Sequence, residues 1–337
     1  MVEAPEPCAQ HDDRHRRGAR YPDTKKIWGQ TVERLCEREG LSVSTACKLF
    51  GHCRQAWYQQ KESFESRCTR ESPIIEFARS IRKEDPGIGA RKIWLMAANM
   101  FSGSMVGRDA FYALLEREGL RLRRPRPRHT TNSNHRYHKY KNLIREYVPA
   151  APNLLWVSDI TYIPLANGEC SYLHLVTDAY SRKGVGWCLS PTLEAKYTIQ
   201  ALQQAIGQAQ GCDLSKLIHH SDRGVQYCCN AYINELDNHG IRISMTEDYK
   251  PTDNGIAERV NGIIKTEKLY RQSLYKNIRE ANKGIGSFIR FYNERRPHMS
   301  INYQTPDVVH KQEGPQKKRW KGYKETVSRN SDQMSTF

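Results

Sequence analysis

The 337-residue sequence lacks any run of roughly 18 uninterrupted apolar residues, which excludes an ordinary helical membrane span. Its first residues, MVEAPEPCAQHDD, are acidic and proline-bearing, whereas a secretory signal is basic and then apolar. The chain therefore reads as cytoplasmic, with no membrane partner. Cysteine is present, at positions 8, 36, 47, 53, 68, 170, 188, 212, 228 and 229, but no CxxC pair occurs. That spacing argues against a structural zinc site, and with no secretory signal the thiols are expected to be reduced. Disorder throughout is excluded too: 38 % hydrophobic residues in a chain of this length suffice for about two domains and at least one sizeable core.

Acidic residues are scarce where basic ones gather. The formal net charge is +16; residues 1–150 hold 29 Lys and Arg against 18 Asp and Glu, an excess of 11, which leaves an excess of 5 for the rest. Within residues 121–145 there are nine Lys and Arg, three His and no acid. Two prolines and a Ser/Thr/Asn cluster there oppose a helix, so an extended basic linker over 121–152 is expected. A solvated charge run is the plainer reading. Nucleic acid is favoured by the mixture: Arg121, Arg123, Arg124, Arg126 and Arg128 can neutralise phosphates, while Tyr137, Tyr140 and the histidines can stack. A shorter basic stretch, KKRWKGYK, lies in a tail over 311–337.

Periodicity divides the remainder. Residues 1–40 form an N-terminal extension whose last part, with Ile27, Val32 and Leu35 at helical spacing, predicts a helix stopped by Gly40. Residues 41–68 read as helix, turn, helix: Ser42 or Ser44 caps, Ala46, Leu49 and Phe50 point inward, and Gly51 turns the chain. Residues 72–120 give three more short helices, a helix-turn-helix-like region placed to bind DNA because the basic linker follows it. From 153 to 310 the pattern becomes α/β. LLWVSDITYIPL, CSYLHLVTDAY and KGVGWCLS predict three antiparallel strands, then helix 193–210, strand 217–222, helix 228–239, strand 241–246 and two longer helices.

Three acids occupy unusual places in that pattern, since a carboxylate beside apolar strand residues is costly unless something positive neutralises it. Asp159 lies within the first strand, on the face of Val157 and Thr161, opposite Trp156, Ser158, Ile160 and Tyr162. Asp222 ends the fourth strand. Glu258 opens a helix on which Asn261 and Lys265 share its face, while Ile256, Val260, Ile263 and Ile264 lie nearly opposite. Taken singly, each acid has an ordinary explanation as a helix cap, a first-turn dipole partner or a buried ion pair. Together, with no Cys or His cluster, they suit a hard cation, Mg²⁺ or Mn²⁺. Two such ions about 4 Å apart support in-line phosphoryl displacement.

Asp222 and Glu258 are separated by 35 residues, and the acids sit in WVSDITY, HSDRGVQY and DNGIAERVNGIIKTE. This resembles the Asp-Asp-Glu catalytic core of retroviral integrases and bacterial transposases, in particular the catalytic open reading frame B protein of the insertion sequence 3 family. LVTDAYSR, FYNERRPH and the following TP add to the resemblance. It implies an α/β ribonuclease-H-like core, a mixed five-stranded sheet with helices, preceded by an all-α helix-turn-helix region. It implies Asp159, Asp222 and Glu258 as catalytic and metal-binding acids for two Mg²⁺ or Mn²⁺ ions, and Lys265 as a DNA-holding residue. Tyr292, Asn293, Arg296 and His298 match a motif that positions DNA or supports the site, and Asp178 matches a position that is not a metal ligand.

The implied activity is DNA transposition: cleavage at element ends, then strand transfer by 3′-hydroxyl attack on a phosphodiester, through a circular intermediate. The implied partners are double-stranded DNA (terminal inverted repeats and target), the upstream helix-turn-helix protein of the element, and further copies of the chain on DNA, in a bacterial nucleoid setting. Two other readings stay open at this point: a decayed, non-catalytic DNA-binding repressor, and a ribonuclease-H-type nuclease.

Overall fold

The computed structural model describes residues 24–122, 138–145, 147–247 and 254–315. They pack as two compact units that meet in sequence between Pro73 and Ile74. In the first, α1 (Thr24–Glu39), α2 (Val43–Leu49) and the start of α3 (Arg54–Glu84) enclose a small core of Val32, Ala46, Cys47 and Trp57. Gly40, at φ +64, ends α1, a left-handed conformation that glycine adopts without strain. Ser42 caps α2 by accepting the Thr45 N–H at 3.2 Å. Leu49 and Phe50, expected inward, are exposed instead. A helix of only seven residues presents one narrow face, and Ala46 and Cys47 occupy it.

Helix α3 is longer than the periodicity suggests. The stretch between the two helix-turn-helix-like segments, KESFESRCTRES, contains no glycine or proline, and its Glu, Lys and Arg are good helix formers. Pro73 removes one backbone donor without ending the helix. In the second unit, the end of α3, α4 (Ala90–Met100) and α5 (Arg108–Arg117) bury Ile74, Ala78, Ile81, Ile88, Ile93, Phe111, Leu114 and Leu115. Phe291, from a helix of the α/β part, joins this core.

The five-stranded sheet has the order β3-β2-β1-β4-β5, comprising β1 (Leu155–Pro164), β2 (Cys170–Asp178), β3 (Gly184–Ser190), β4 (Ile218–Ser221) and β5 (Arg242–Met245). β1, β2 and β3 are an antiparallel meander, and β4 and β5 extend it in parallel beside β1. This is the mixed, ribonuclease-H-like sheet with an all-helical region before it. The alternation along β1 holds. Trp156 joins the core beneath α6 (Ala195–Gln208), while Val157 packs with Ala257 on the opposite side. α6 lies so close to β3 that a Cβ on Gly186 would come within 2.0 Å of the Ala201 carbonyl oxygen.

The helix expected over 228–239 is observed as α8 (Asn230–Asn238), and extended Cys229 divides it from a short preceding helix, α7 (Val225–Cys228). On the other face, α9 (Gly255–Ile263) and α10 (Ile278–Glu294) bury Val260, Ile264, Ile285, Phe288 and Ile289 against Leu173 and Leu175. Beyond α9 the helix widens to a π turn over Ile264–Lys268.

The described end of the basic linker is pinned. Residues 138–145 run beside β5, where Leu143 N–H donates to Ser244 Oγ at 2.9 Å and Asn142 N–H to Glu247 Oε1 at 2.9 Å. Tyr140, expected to be available for base stacking, packs instead against the hydrophobic core. The edge strand is thereby covered by the protein's own chain.

Candidate active site

The parallel register pairs Ser158 of β1 with Ser221 of β4, so Asp159, midway along β1, and Asp222, just past the end of β4, are brought side by side. Glu258 approaches from α9, whose apolar side is held by the sheet. Asp159 is half-buried and closely engaged: its Oδ1 accepts its neighbour's N–H, from Ile160, at 2.8 Å, and its Oδ2 accepts Asn261 Nδ2–H at 2.8 Å. Asn254, just before α9, donates to the Ser158 carbonyl at 3.1 Å. Both asparagines are almost fully buried, so each bond spans the gap between β1 and the helix away from water.

Burial, followed by the charge of Asp222, pushes the Asp159 carboxyl up to about 7. Glu258 adds to that rise, while the bonds from Asn261 and Ile160 oppose it. Glu258, exposed at the front, is itself raised by partial desolvation. Asp222 accepts the Gly224 N–H at 3.0 Å. Asp222 and Glu258 thus both act on Asp159, and carboxylate oxygens are the hard donors that a divalent cation takes. Among the described residues, however, no group of three or more His, Cys, Asp or Glu side chains closes into a metal-holding cluster. The donor chemistry fits; the closure is not present in this arrangement.

The remaining expected residues divide. Lys265 is half-buried, seven residues beyond Glu258 on the continuation of α9. Arg121 is exposed and pairs with Glu116 at 2.8 Å, while Arg123, Arg124, Arg126 and Arg128 lie outside the described residues. Tyr292, Asn293, Arg296 and His298 are brought together at the end of α10 but make contacts within the protein. Tyr292 Oη donates to the Arg182 carbonyl at 3.0 Å, and Asn293 exchanges two hydrogen bonds with the Gly184 backbone, at 2.9 and 3.0 Å. Arg296 is 2 % exposed and grips Glu267 through Nε and Nη2, both at 2.7 Å. Asp178 is fully buried and accepts from the Ser181 N–H and hydroxyl and the Asn153 N–H, the duties of a structural acid.

Sequence reasoning missed Glu267 and Asp85, which flank Arg296, and Lys92, which pairs with Glu267. Their signal is faint, since a Glu among basic residues on a helix resembles a solvated face. It missed Tyr227 as well: this side chain is buried among the acids' surroundings, and its phenol is raised by burial and by Asp222 and Asp159.

The chain matches the Integrase core domain family over residues 149–251, and a second family of the same description over 239–306. It is 32 % identical over 233 residues to a putative transposase for insertion sequence element IS986/IS6110 of Mycobacterium tuberculosis, covering 67 % of this chain and 83 % of that protein. A 31 kDa protein of insertion element IS600 from Shigella sonnei is 32 % identical over 267 residues, covering 77 % and 95 %. The transposase for insertion sequence element IS629, also from Shigella sonnei, is 27 % identical over 279 residues, covering 82 % and 90 %. No helix among the described residues is long and apolar enough to cross a membrane. With a mixed five-stranded sheet, a match to the Integrase core domain and this extent of likeness, the chain belongs to the insertion-sequence transposases that carry an integrase core.

Proposed function

We propose that Asp159, Asp222 and Glu258 catalyse cutting and joining of the element's own DNA ends. The observation that carries this reading is the placement of Asp159 on β1 where the charges of Asp222 and Glu258 both raise its carboxyl. Such repulsion costs stability unless positive charge is delivered there during function. Bound to these acids, Mg²⁺ or Mn²⁺ would supply the positive charge that lowers the cost of an attacking oxygen and a departing one.

The chain's own residues do the positioning. Asn261 fixes the second oxygen of Asp159, and Asn254 ties the entrance of α9 to β1, so Glu258 is held at a set depth from the two aspartates. Lys265 lies farther along the same helical run, where an ammonium can hold a DNA phosphate. In the first step the oxygen of water bonds to phosphorus and the 3′-oxygen leaves as a hydroxyl. In the second, that hydroxyl bonds to the phosphorus of another phosphodiester and displaces its 3′-oxygen. One bond to phosphorus forms and one breaks each time. Duplex ends are held by the helical region 72–120 and the linker 121–152, with the upstream helix-turn-helix protein and further copies of this chain as partners.

Full-length protein incubated with labelled element-end duplex and Mg²⁺ should yield both cut and joined products. Asp159→Asn and Glu258→Gln should each reduce them at least a hundredfold while end binding stays within about threefold, the loss expected of groups acting in the transition state. Activity surviving either change refutes the triad, and cleavage of RNA–DNA hybrid without duplex ends would indicate the nuclease reading.

A further inference from the structure

The residues of FYNERRPH are spent on a buried charge cluster that the reaction, as described, does not use. Glu267 follows Lys265 by two positions on the run that begins with α9. Its carboxylate receives Arg296 as a bidentate pair, both bonds 2.7 Å, and Lys92 Nζ of α4 at 3.1 Å. Asp85, fully buried in the loop after α3, lies 3.7 Å from Arg296 and accepts the Gly87 N–H at 3.1 Å. Arg296 Nη1 lies 2.8 Å from His298 Nε2. Gly87 is pressed onto the backbone of the same turn, since a Cβ there would come within 2.1 Å of Glu267 Cα.

This cluster joins two parts of the second unit with different tasks. Asp85, Gly87 and Lys92 belong to the helical module over 74–120; Glu267 and Arg296 belong to the catalytic part, and Glu267 lies on the run that carries Glu258 and Lys265. Phe291 packs into the module's core, and Arg295 pairs with Glu84 beside it. An apolar contact would bind the two parts as tightly, because burying ions offsets much of their attraction. What a bidentate pair adds is direction: it is satisfied in one relative placement and broken by a shift of about an ångström. The π turn at Ile264–Lys268 lies at this junction and sets the angle at which Glu267 meets Lys92 and Arg296.

We infer that the Lys92–Glu267–Arg296–Asp85 clasp fixes the distance between the module that holds DNA and the three acids, and so selects which phosphate is cut. These are positioning residues for the cut, and the inference rests on the function proposed above. Disordering the clasp should therefore change where the DNA is cut as well as how fast.

The test maps cleavage at single-nucleotide resolution, using the full chain, Mg²⁺ and a labelled duplex carrying the element's terminal repeat. The unaltered protein should cut at one dominant position. Lys92→Met, which keeps the apolar stem, and Glu267→Gln should spread cleavage onto neighbouring phosphates and lower the correctly placed fraction at least threefold. Lys92→Arg should keep the dominant position. Variants that cut only at the original phosphate, whatever their rate or stability, overturn the inference. A second measurement needs no variant: two base pairs inserted between the protected repeat and the cut should leave the cut at its original distance from the protected region. A cut that stays with its local sequence overturns the inference equally. Absence of cleavage by the unaltered protein, or cleavage that survives Asp159→Asn, would instead defeat the underlying function.

Discussion

Asp159 shows how much of a site's chemistry one residue can disclose and where that disclosure ends. An acid between Val157 and Ile160 in a strand is costly, and that anomaly is legible from sequence alone. Its partner Asn261 was placed on the correct helical face, but no periodicity tells that the amide donates to Asp159 at 2.8 Å. An aspartate raised from its ordinary value to about 7 costs the metal-free fold stability progressively as pH rises from about 4 to 7, because the unfolded chain ionises it more readily. Asp159→Asn should therefore stabilise the metal-free protein at pH 7.5 by roughly 1–3 kcal/mol, discounted for a half-buried group, while abolishing cleavage. Denaturant melts in chelator should read the gain. Added Mg²⁺ should raise the midpoint of the unaltered protein and leave that of Asp159→Asn nearly unmoved; an unstabilised Asp159→Asn would mean that the acids' repulsion is relieved without a cation.

At the scale of elements, strands were more legible than helix ends. β1, β2 and β3 follow runs rich in Val, Ile, Tyr, Trp and Thr bounded by short turns, and each expected strand lies within two residues of its observed bounds. The continuity of α3, the break at Cys229 and the π turn after α9 were not expected, since each is decided by packing against distant residues. Buried polar positions on strands are similarly hidden. His174 of β2 lies fully buried between Thr198 Oγ1, 2.8 Å from Nδ1, and Ser190 Oγ, 3.0 Å from Nε2. His219 of β4 is 2.8 Å from Ser158 Oγ and 3.0 Å from Tyr232 Oη. Burial depresses His174 to about 4 and His219 to about 3. A depressed histidine leaves the fold unaffected above its unfolded value of about 6.5 and weakens it as pH falls below that, because the unfolded chain takes the proton first. At pH 5 each should cost on the order of 2 kcal/mol relative to pH 7. Urea melts of the unaltered protein and of His174→Gln at the two pH values should differ in pH dependence by on the order of 2 kcal/mol, the variant losing less at pH 5; an identical pH dependence would contradict the burial of a neutral ring.

Over the whole molecule, charge and chemistry occupy different stretches of sequence. The excess of 11 positive charges falls in residues 1–150, whereas the three acids lie in the later, less basic part. That division was readable from composition, but the fate of the linker's end was not: residues 138–145 are committed to β5, and Tyr140 to the core. That leaves the arginine-rich beginning of the linker, which contains Arg123, Arg124 and Arg126, as its share proposed to hold DNA. If those three neutralise phosphates, each releases condensed counterions on binding, and the slope of log affinity against log salt should carry about 0.9 per contact. Replacing all three with glutamine should weaken end binding at low salt and make the slope shallower by about 2–3. Titrations of the element-end duplex at several salt concentrations read both quantities. An unaltered slope would move the electrostatic contact from the linker to the folded helices over 72–120, and Asp159, Asp222 and Glu258 would retain their proposed role in either case.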